Sequence, residues 1–153
     1  MNLIGKILQP NNILLDSEAS HSKHTIFERA SLLFEHNQGL SRSVVFDSLM
    51  KREKLGSTGL GKGVAIPHGR IAKLREATAA FIKVANPAPF DAPDRQPVNL
   101  VFVLLVPERA TDLHLQILGE LAQMFSDSEF RDALNECDDP AQLYQLFYNW
   151  QES

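Results

Sequence analysis

Several functional classes are excluded by what this sequence lacks. It holds a single cysteine, Cys137, so no internal disulfide can form and a disulfide-stapled secreted scaffold is ruled out. No uninterrupted apolar run approaches the roughly 20 residues needed to cross a bilayer, so no membrane insertion is expected. The opening stretch from Met1 to Pro10 has no basic region followed by an apolar core and does not read as a secretory signal. With the lone thiol, this points to a cytoplasmic protein. Cationic runs are equally scarce: Lys51-Arg52 is the longest, and the formal net charge is −4. A duplex-binding surface needs clustered cations to displace counterions, so nucleic acid is not an expected partner. His21 and His24 have the spacing of a metal pair but no ligand set around them, so no metal site is expected. Neither a carboxylate pair nor a Ser-His-Asp arrangement stands out.

What remains is an ordinary globular composition, 44% apolar and 22% charged, in a length of 153 residues that fits one domain over 1–153. Asn12 to Leu15 reads as an edge strand. Ile26, Ala30, Leu33 and Phe34 recur at helical spacing, and Gly39 suits the end of that helix. Ser41 can cap a second helix with Val45, Leu49 and Arg52 on its inward stripe, leaving Asp47 and Glu53 as solvated residues. A glycine-rich run, Gly56 to Gly63, leads into the extended Val64-Ala65-Ile66. Thr78 to Ala85 reads as a strand, and Asn86 to Pro97, with its four prolines, as a long loop. Val98 to Val106 is apolar on both faces except at Asn99, the pattern of a central strand covered on both sides, and Pro107 ends it. One helix should begin at Thr111 or Asp112 and bury Leu113, Ile117, Leu121 and Phe125. Ser126 and Glu129 form a capping box for the next, which buries Phe130 and Leu134. Asp139-Pro140 starts the last, with Leu143, Leu146, Phe147 and Trp150 facing in. Helices interspersed with strands predict a layered α/β domain.

The chemistry concentrates in Arg52 to Arg70. Pro67 fixes its own φ and pushes Ile66 toward an extended conformation, so His68 is presented at a strand end by a stiff dipeptide. A neutral imidazole has one free nitrogen lone pair, and a hydrogen bond to the other nitrogen fixes the tautomer and aims the ring. Such a ring can accept a phosphoryl group if cations or N–H donors neutralise the equatorial oxygens. Arg52 offers a forked donor, with Arg70 as a further candidate; Ser57, Thr58 and the glycine-loop amides offer smaller ones. His114, one turn into its helix, is placed to donate to an anion as a neutral imidazole, unless it is simply a core histidine. The run Gly56-Ser-Thr-Gly-Leu-Gly-Lys62 also matches the phosphate-cradling G-x-x-x-x-G-K. Gly63, however, replaces the hydroxyl residue that would hold Mg²⁺, and the element order is inverted. Chemistry alone stops at an anion site.

The same residues, Arg52-Glu53, Gly56-Ser57-Thr58-Gly59, Gly61, Gly63 and Ala65-Ile66-Pro67-His68-Gly69, resemble the active-site signature of a known family. This is the IIA family of the bacterial phosphotransferase system that includes the fructose, mannitol and nitrogen-regulatory proteins. Phe90-Asp91, Gln96-Pro97-Val98, Leu105-Val106-Pro107 and His114-Leu115 extend the likeness through almost the whole chain. The resemblance implies a mannitol-type IIA fold: a single α/β domain with a mixed, about five-stranded sheet flanked by helices. It implies that His68 takes a phosphoryl group on Nε2 from the phosphohistidine of a small HPr-like phosphocarrier, with His114 and Arg52 binding that group. It implies no nucleotide, metal or other cofactor at the site; phosphoenolpyruvate feeds the chain upstream through an enzyme I. The short lead at Leu3 to Leu8 and the Arg-Glu-Lys-Leu-Gly-Ser-Thr-Gly segment are most like the nitrogen-regulatory type, which signals by binding regulatory protein targets according to phosphorylation state. The alternatives are a sugar-specific IIA passing phosphate to a IIB domain, and a nucleotide- or anion-binding module without a covalent intermediate.

Overall fold

In the computed structural model, which describes residues 2–17, 22–109 and 111–152, the elements follow one another in a layered α/β order. They are α1 (Leu3–Ile7), β1 (Leu8–Asp16), α2 (Lys23–Gln38), α3 (Arg42–Leu55), β2 (Gly59–Gly61) and β3 (Val64–Ala65). There follow β4 (His68–Ile71), β5 (Thr78–Ala88), β6 (Val98–Pro107), α4 (Thr111–Ser126), α5 (Ser128–Glu136) and α6 (Pro140–Asn149). The strands form one mixed sheet in the order β1-β5-β6-β3-β2, with β4 also on β6. β5 runs antiparallel to β6, β3 and β4 run parallel to it, and β1 lies at the edge, parallel to β5.

β6 sets the two layers. Leu100, Phe102, Leu104 and Val106 pack into one core with residues of α4, α5 and α6, including Ile117, Leu121, Phe130 and Phe147. Val98, Val101, Val103 and Leu105 pack into the other, with Phe27, Phe34, Val45 and Leu49 of α2 and α3. Successive side chains point to opposite faces of a strand, and both faces of this one are covered by helices, which is why it carries no polar alternation.

Five sheet positions hold six strand segments because β3 and β4 are halves of one strand. Val64 and Ala65 pair with Leu100 and Val101, and His68 and Gly69 pair with Leu104 and Leu105, all in one continuous register. The break falls at Ile66-Pro67. Pro67 has no N–H to give, although its carbonyl still accepts from Leu104 N at 2.9 Å. The Ile66 N–H turns away to the Thr58 carbonyl, 3.0 Å off.

Helix ends follow their caps. Ser22 and Thr25 form a capping box on α2, whose C-cap Gly39 sits at φ 69°. Ser41 caps α3, and Asp139 with Pro140 starts α6. Five expectations are corrected. α5 is capped by Asp127, whose carboxylate accepts from the Glu129 and Phe130 amides; the Ser126 hydroxyl instead donates to the Gln123 carbonyl in the last turn of α4. The buried stripe of α4 begins at Ile117, and Leu113 is 38% exposed, because the first turn of the helix flanks a surface cleft rather than the core. β5 continues through Pro87 to Ala88, where a shift in register accommodates the proline. Glu53, not Arg52, is the buried continuation of Val45 and Leu49. The glycine-rich run is not all loop, since Gly59–Gly61 is β2. His21 lies outside the described residues, and His24 Nδ1 faces Glu28 at 2.7 Å on α2. Among the described residues no helix is long and apolar enough to cross a membrane.

Candidate active site

His68 opens β4 opposite Leu104, near the end of β6. The chain leaves β6, turns at Glu108-Arg109 and returns as α4, which brings His114 beside His68. Their ring centroids are 5.1 Å apart and the planes meet at 76°. α3 packs along β4 and delivers Arg52 to the same place. Gly69 makes this approach possible: a Cβ there would collide with Ser48 Oγ of α3. The result is a cleft of about 400 Å³ lined by Ser48, Lys51, Arg52, His68, Arg70 and His114, with Leu55 at its rim.

His68 is only 9% exposed, and its two ring nitrogens have different fates. Nδ1 lies 2.9 Å from the Ile66 carbonyl, an acceptor only, so Nδ1 carries the proton and donates it. Nε2 keeps the lone pair. Burial is the largest influence on this ring and lowers its pKa from the ordinary 6.5; the Ile66 hydrogen bond opposes that, Arg52 lowers it further, Glu53 opposes again, and Arg70 adds to the lowering. The ring is therefore neutral at pH 7. His114 is lowered as well, first by burial and then by the charges of His68, Arg70 and Arg52. Its Nε2 is the one buried side-chain polar atom without a hydrogen-bond partner among the described residues. Buried polar groups are rarely left so, and this one lies on the ring that stands beside His68.

The guanidinium of Arg52 is fixed by donating to the Gly56 carbonyl at 2.9 Å, and Arg70 donates to the Glu108 carbonyl at 2.8 Å. Each has further N–H groups for an anion in the cleft. The structure thus brings together His68, His114, Arg52 and Arg70. It does not bring Ser57 and Thr58 with them. The Ser57 hydroxyl donates to the Phe90 carbonyl and accepts from Gly59 N, while the Thr58 hydroxyl and amide both bond Glu53. The Gly56 and Lys62 amides are similarly engaged, with Gly56 N on the Glu53 carbonyl and Lys62 N on Asp94. No residue of the run from 56 to 63 lines the cleft, and these engaged groups weaken the case for a nucleotide-binding loop. Sequence reading missed Lys51 and Ser48, which carry no motif signal and reach the cleft only because α3 packs on β4.

The profile of the family described as phosphoenolpyruvate-dependent sugar phosphotransferase system, EIIA 2, matches residues 6–150. The chain belongs to this family. Among EIIA 2 relatives it is 38% identical over 141 residues to the nitrogen regulatory protein of Pseudomonas aeruginosa, covering 92% of each chain. It is 39% identical over 126 residues to the nitrogen regulatory protein of Escherichia coli K12, covering 82% of this chain and 77% of that one. Its structure matches the crystal structure of nitrogen regulatory protein IIA-Ntr from Neisseria meningitidis with a TM-score of 0.88 at 48% identity, over 95% and 99% of the two chains. The mannitol IIA of Escherichia coli, at 19% identity and TM-score 0.74 over 91% and 97%, shares the fold. The chain is thus an EIIA 2 phosphotransfer component with the mannitol-type IIA fold, most like the nitrogen regulatory proteins.

Proposed function

We propose that the chain is a regulatory phosphoryl carrier in which His68 Nε2 accepts the phosphoryl group from the phosphohistidine of an HPr-like carrier. The observation that carries this reading is the asymmetry of the His68 ring, with Nδ1–H held by Ile66 and a free Nε2 in a cleft flanked by Arg52, Arg70 and His114. In the transfer, the Nε2 lone pair forms a bond to phosphorus as the donor's P–N bond breaks, and the donor imidazole leaves with that electron pair. No proton has to move at His68. The phosphorylated ring keeps Nδ1–H on the Ile66 carbonyl, and this contact strengthens as the ring becomes cationic. Arg52, Arg70 and a neutral His114 then balance the phosphoryl dianion, so that positioning and charge neutralisation supply the rate.

A protein donor suits the cleft rim. Leu55 is 82% exposed and Leu115, next to His114, is 64% exposed, and apolar side chains of this kind are covered when a partner docks. The regulatory reading, in which target proteins bind according to phosphorylation state in the cytoplasm, is supported by the likeness to nitrogen regulatory proteins at 36–39% identity. Incubation with enzyme I, an HPr-like carrier and phosphoenolpyruvate should give acid-labile, base-stable label that His68→Ala abolishes. Label retained by that variant would refute the assignment. Comparing captures by the phosphorylated and unphosphorylated chains then separates the two roles: differential retention of regulatory proteins supports the signalling role, and onward transfer to a sugar IIB domain supports the metabolic one.

A further inference from the structure

We propose that Glu53 is a positioning residue for phosphoryl transfer, fixing the tautomer and aim of His68 through Thr58 and Ile66. The inference rests on the assignment of His68 as acceptor and concerns a residue one position from Arg52 that points the other way.

Glu53 is 8% exposed, and a carboxylate is taken out of water at a cost of several kcal/mol unless it is paired and hydrogen-bonded. Here three donors converge on it: Lys23 Nζ at 3.0 Å, Thr58 N at 3.0 Å and Thr58 Oγ1 at 2.6 Å. Lys23 itself is held over the Phe90 ring, 5.3 Å from its centroid. So much anchoring exceeds what is needed to finish α3, whose end is already satisfied by Gly56 N on the Glu53 carbonyl and by Arg52 on the Gly56 carbonyl.

The bonds continue from there to the reactive ring. Thr58, locked by its amide and hydroxyl, offers its carbonyl to Ile66 N at 3.0 Å. Ile66 in turn offers its carbonyl to His68 Nδ1 at 2.9 Å. This is the place where β3 and β4 part, so Ile66 has no ladder partner on β6 to set its orientation. The Thr58 contact takes over that role, and Glu53 is what holds Thr58. A carbonyl that drifted would release Nδ1–H and let the ring sample the other tautomer, with the proton on Nε2 and no lone pair to accept phosphorus. The Glu53 charge also favours the cationic form of His68, against Arg52 of α3 and Arg70 of β4, with the His114 ring of α4 standing beside it. The phosphorylated imidazole is such a form.

The test is ring NMR on the full, uniformly ¹⁵N-labelled chain, reading His68 Nδ1 and Nε2 across a pH titration, alongside transfer kinetics from the phosphorylated carrier. Wild type should show Nδ1–H throughout the neutral range. Glu53→Gln should shift His68 toward a mixture of tautomers, lower its pKa further and reduce kcat about tenfold with KM for the carrier unchanged, as expected for a misaimed nucleophile. If Glu53→Gln does not fold, Thr58→Val, which loses one of the three bonds and keeps the amide contact, should show a smaller change in the same direction. A folded variant with an unaltered tautomer, pKa and kcat would overturn the proposal and leave Glu53 as a tie between α3 and the glycine loop. Because the ring is read without any donor, a wild-type chain that failed to accept phosphate would refute the His68 assignment, whereas an unaltered ring in Glu53→Gln of a chain that does accept it would refute the role of Glu53 alone.

Discussion

At His68 one ring nitrogen is committed and the other is open, and this difference makes the site directional. The lowered pKa has a kinetic consequence. Acceptance needs a neutral Nε2, so it should hold as the pH drops past 6.5 and fail only when the pH falls through the lower pKa of the folded site. Arg52→Ala removes one cause of the lowering and should move this acid limb to higher pH, while slowing transfer on the order of 10²-fold through the lost phosphate contact. A pH–rate profile with an unmoved limb and wild-type rate would mean that Arg52 only finishes its helix. Stability follows the same sign. The unfolded chain protonates His68 and His114 near 6.5 while the folded chain does not, so the contribution of these two rings to folding stability is flat above that pH and declines below it until the folded pKa values are passed. His114→Ala should leave acceptance possible but shorten the lifetime of the phosphorylated state, read as faster hydrolysis; loss of the folded state would return His114 to the core. His68 and His114 were legible in the sequence because Pro67 and the family signature mark them locally, and Arg52 was legible through that signature alone, since the inward phase assigned to it belongs to Glu53. Glu53 was not. From Val45 and Leu49 a step of four reaches Glu53 and a step of three reaches Arg52, and the partner that favours the former, Lys23, is distant in sequence.

Among the elements, the contact of α3 with β4 decides whether cations meet the histidine. Gly69→Ala tests it directly: the added methyl would strike Ser48 Oγ and Cβ and force the two apart. Overpacking of this kind costs roughly 1–3 kcal/mol, so the melting temperature should drop and transfer should slow more than stability alone explains. Unchanged melting and transfer would show that the approach of α3 is not close in solution. Most helices and the central strand could be read from period and caps, because those signals are local. The cap of α5 was misread since Ser126 and Asp127 are adjacent and both are cap formers. What favours Asp127 is tertiary, its second oxygen accepting from Trp150 Nε1 at 3.2 Å. α1 is too short for periodicity to reveal and is held by Asn2, which bonds the carbonyls of Phe147 and Trp150. The single register shared by β3 and β4 was equally hidden, because only β6 defines it.

For the whole molecule, charge and apolar exposure are distributed unevenly. The chain carries a net −4, yet Lys51, Arg52 and Arg70 gather in one cleft with an exposed Leu55 at its edge. A phosphorylated protein partner is matched by both features. Leu55→Asp should raise KM for the carrier about tenfold with little change in kcat, since docking and not chemistry is affected; an unaltered KM would place the docking surface elsewhere. The α/β class was readable from the pattern and the mixed sheet only through the family resemblance, whereas the strand order, which brings residues 52, 68 and 114 to one point, came only with the structure. The central claim is tested most directly by ³¹P and ¹⁵N NMR of the chain phosphorylated by its carrier. The account predicts phosphorus coupled to Nε2 of His68, with Nδ1 still protonated. Phosphorus on Nδ1, or on any other residue, would contradict it.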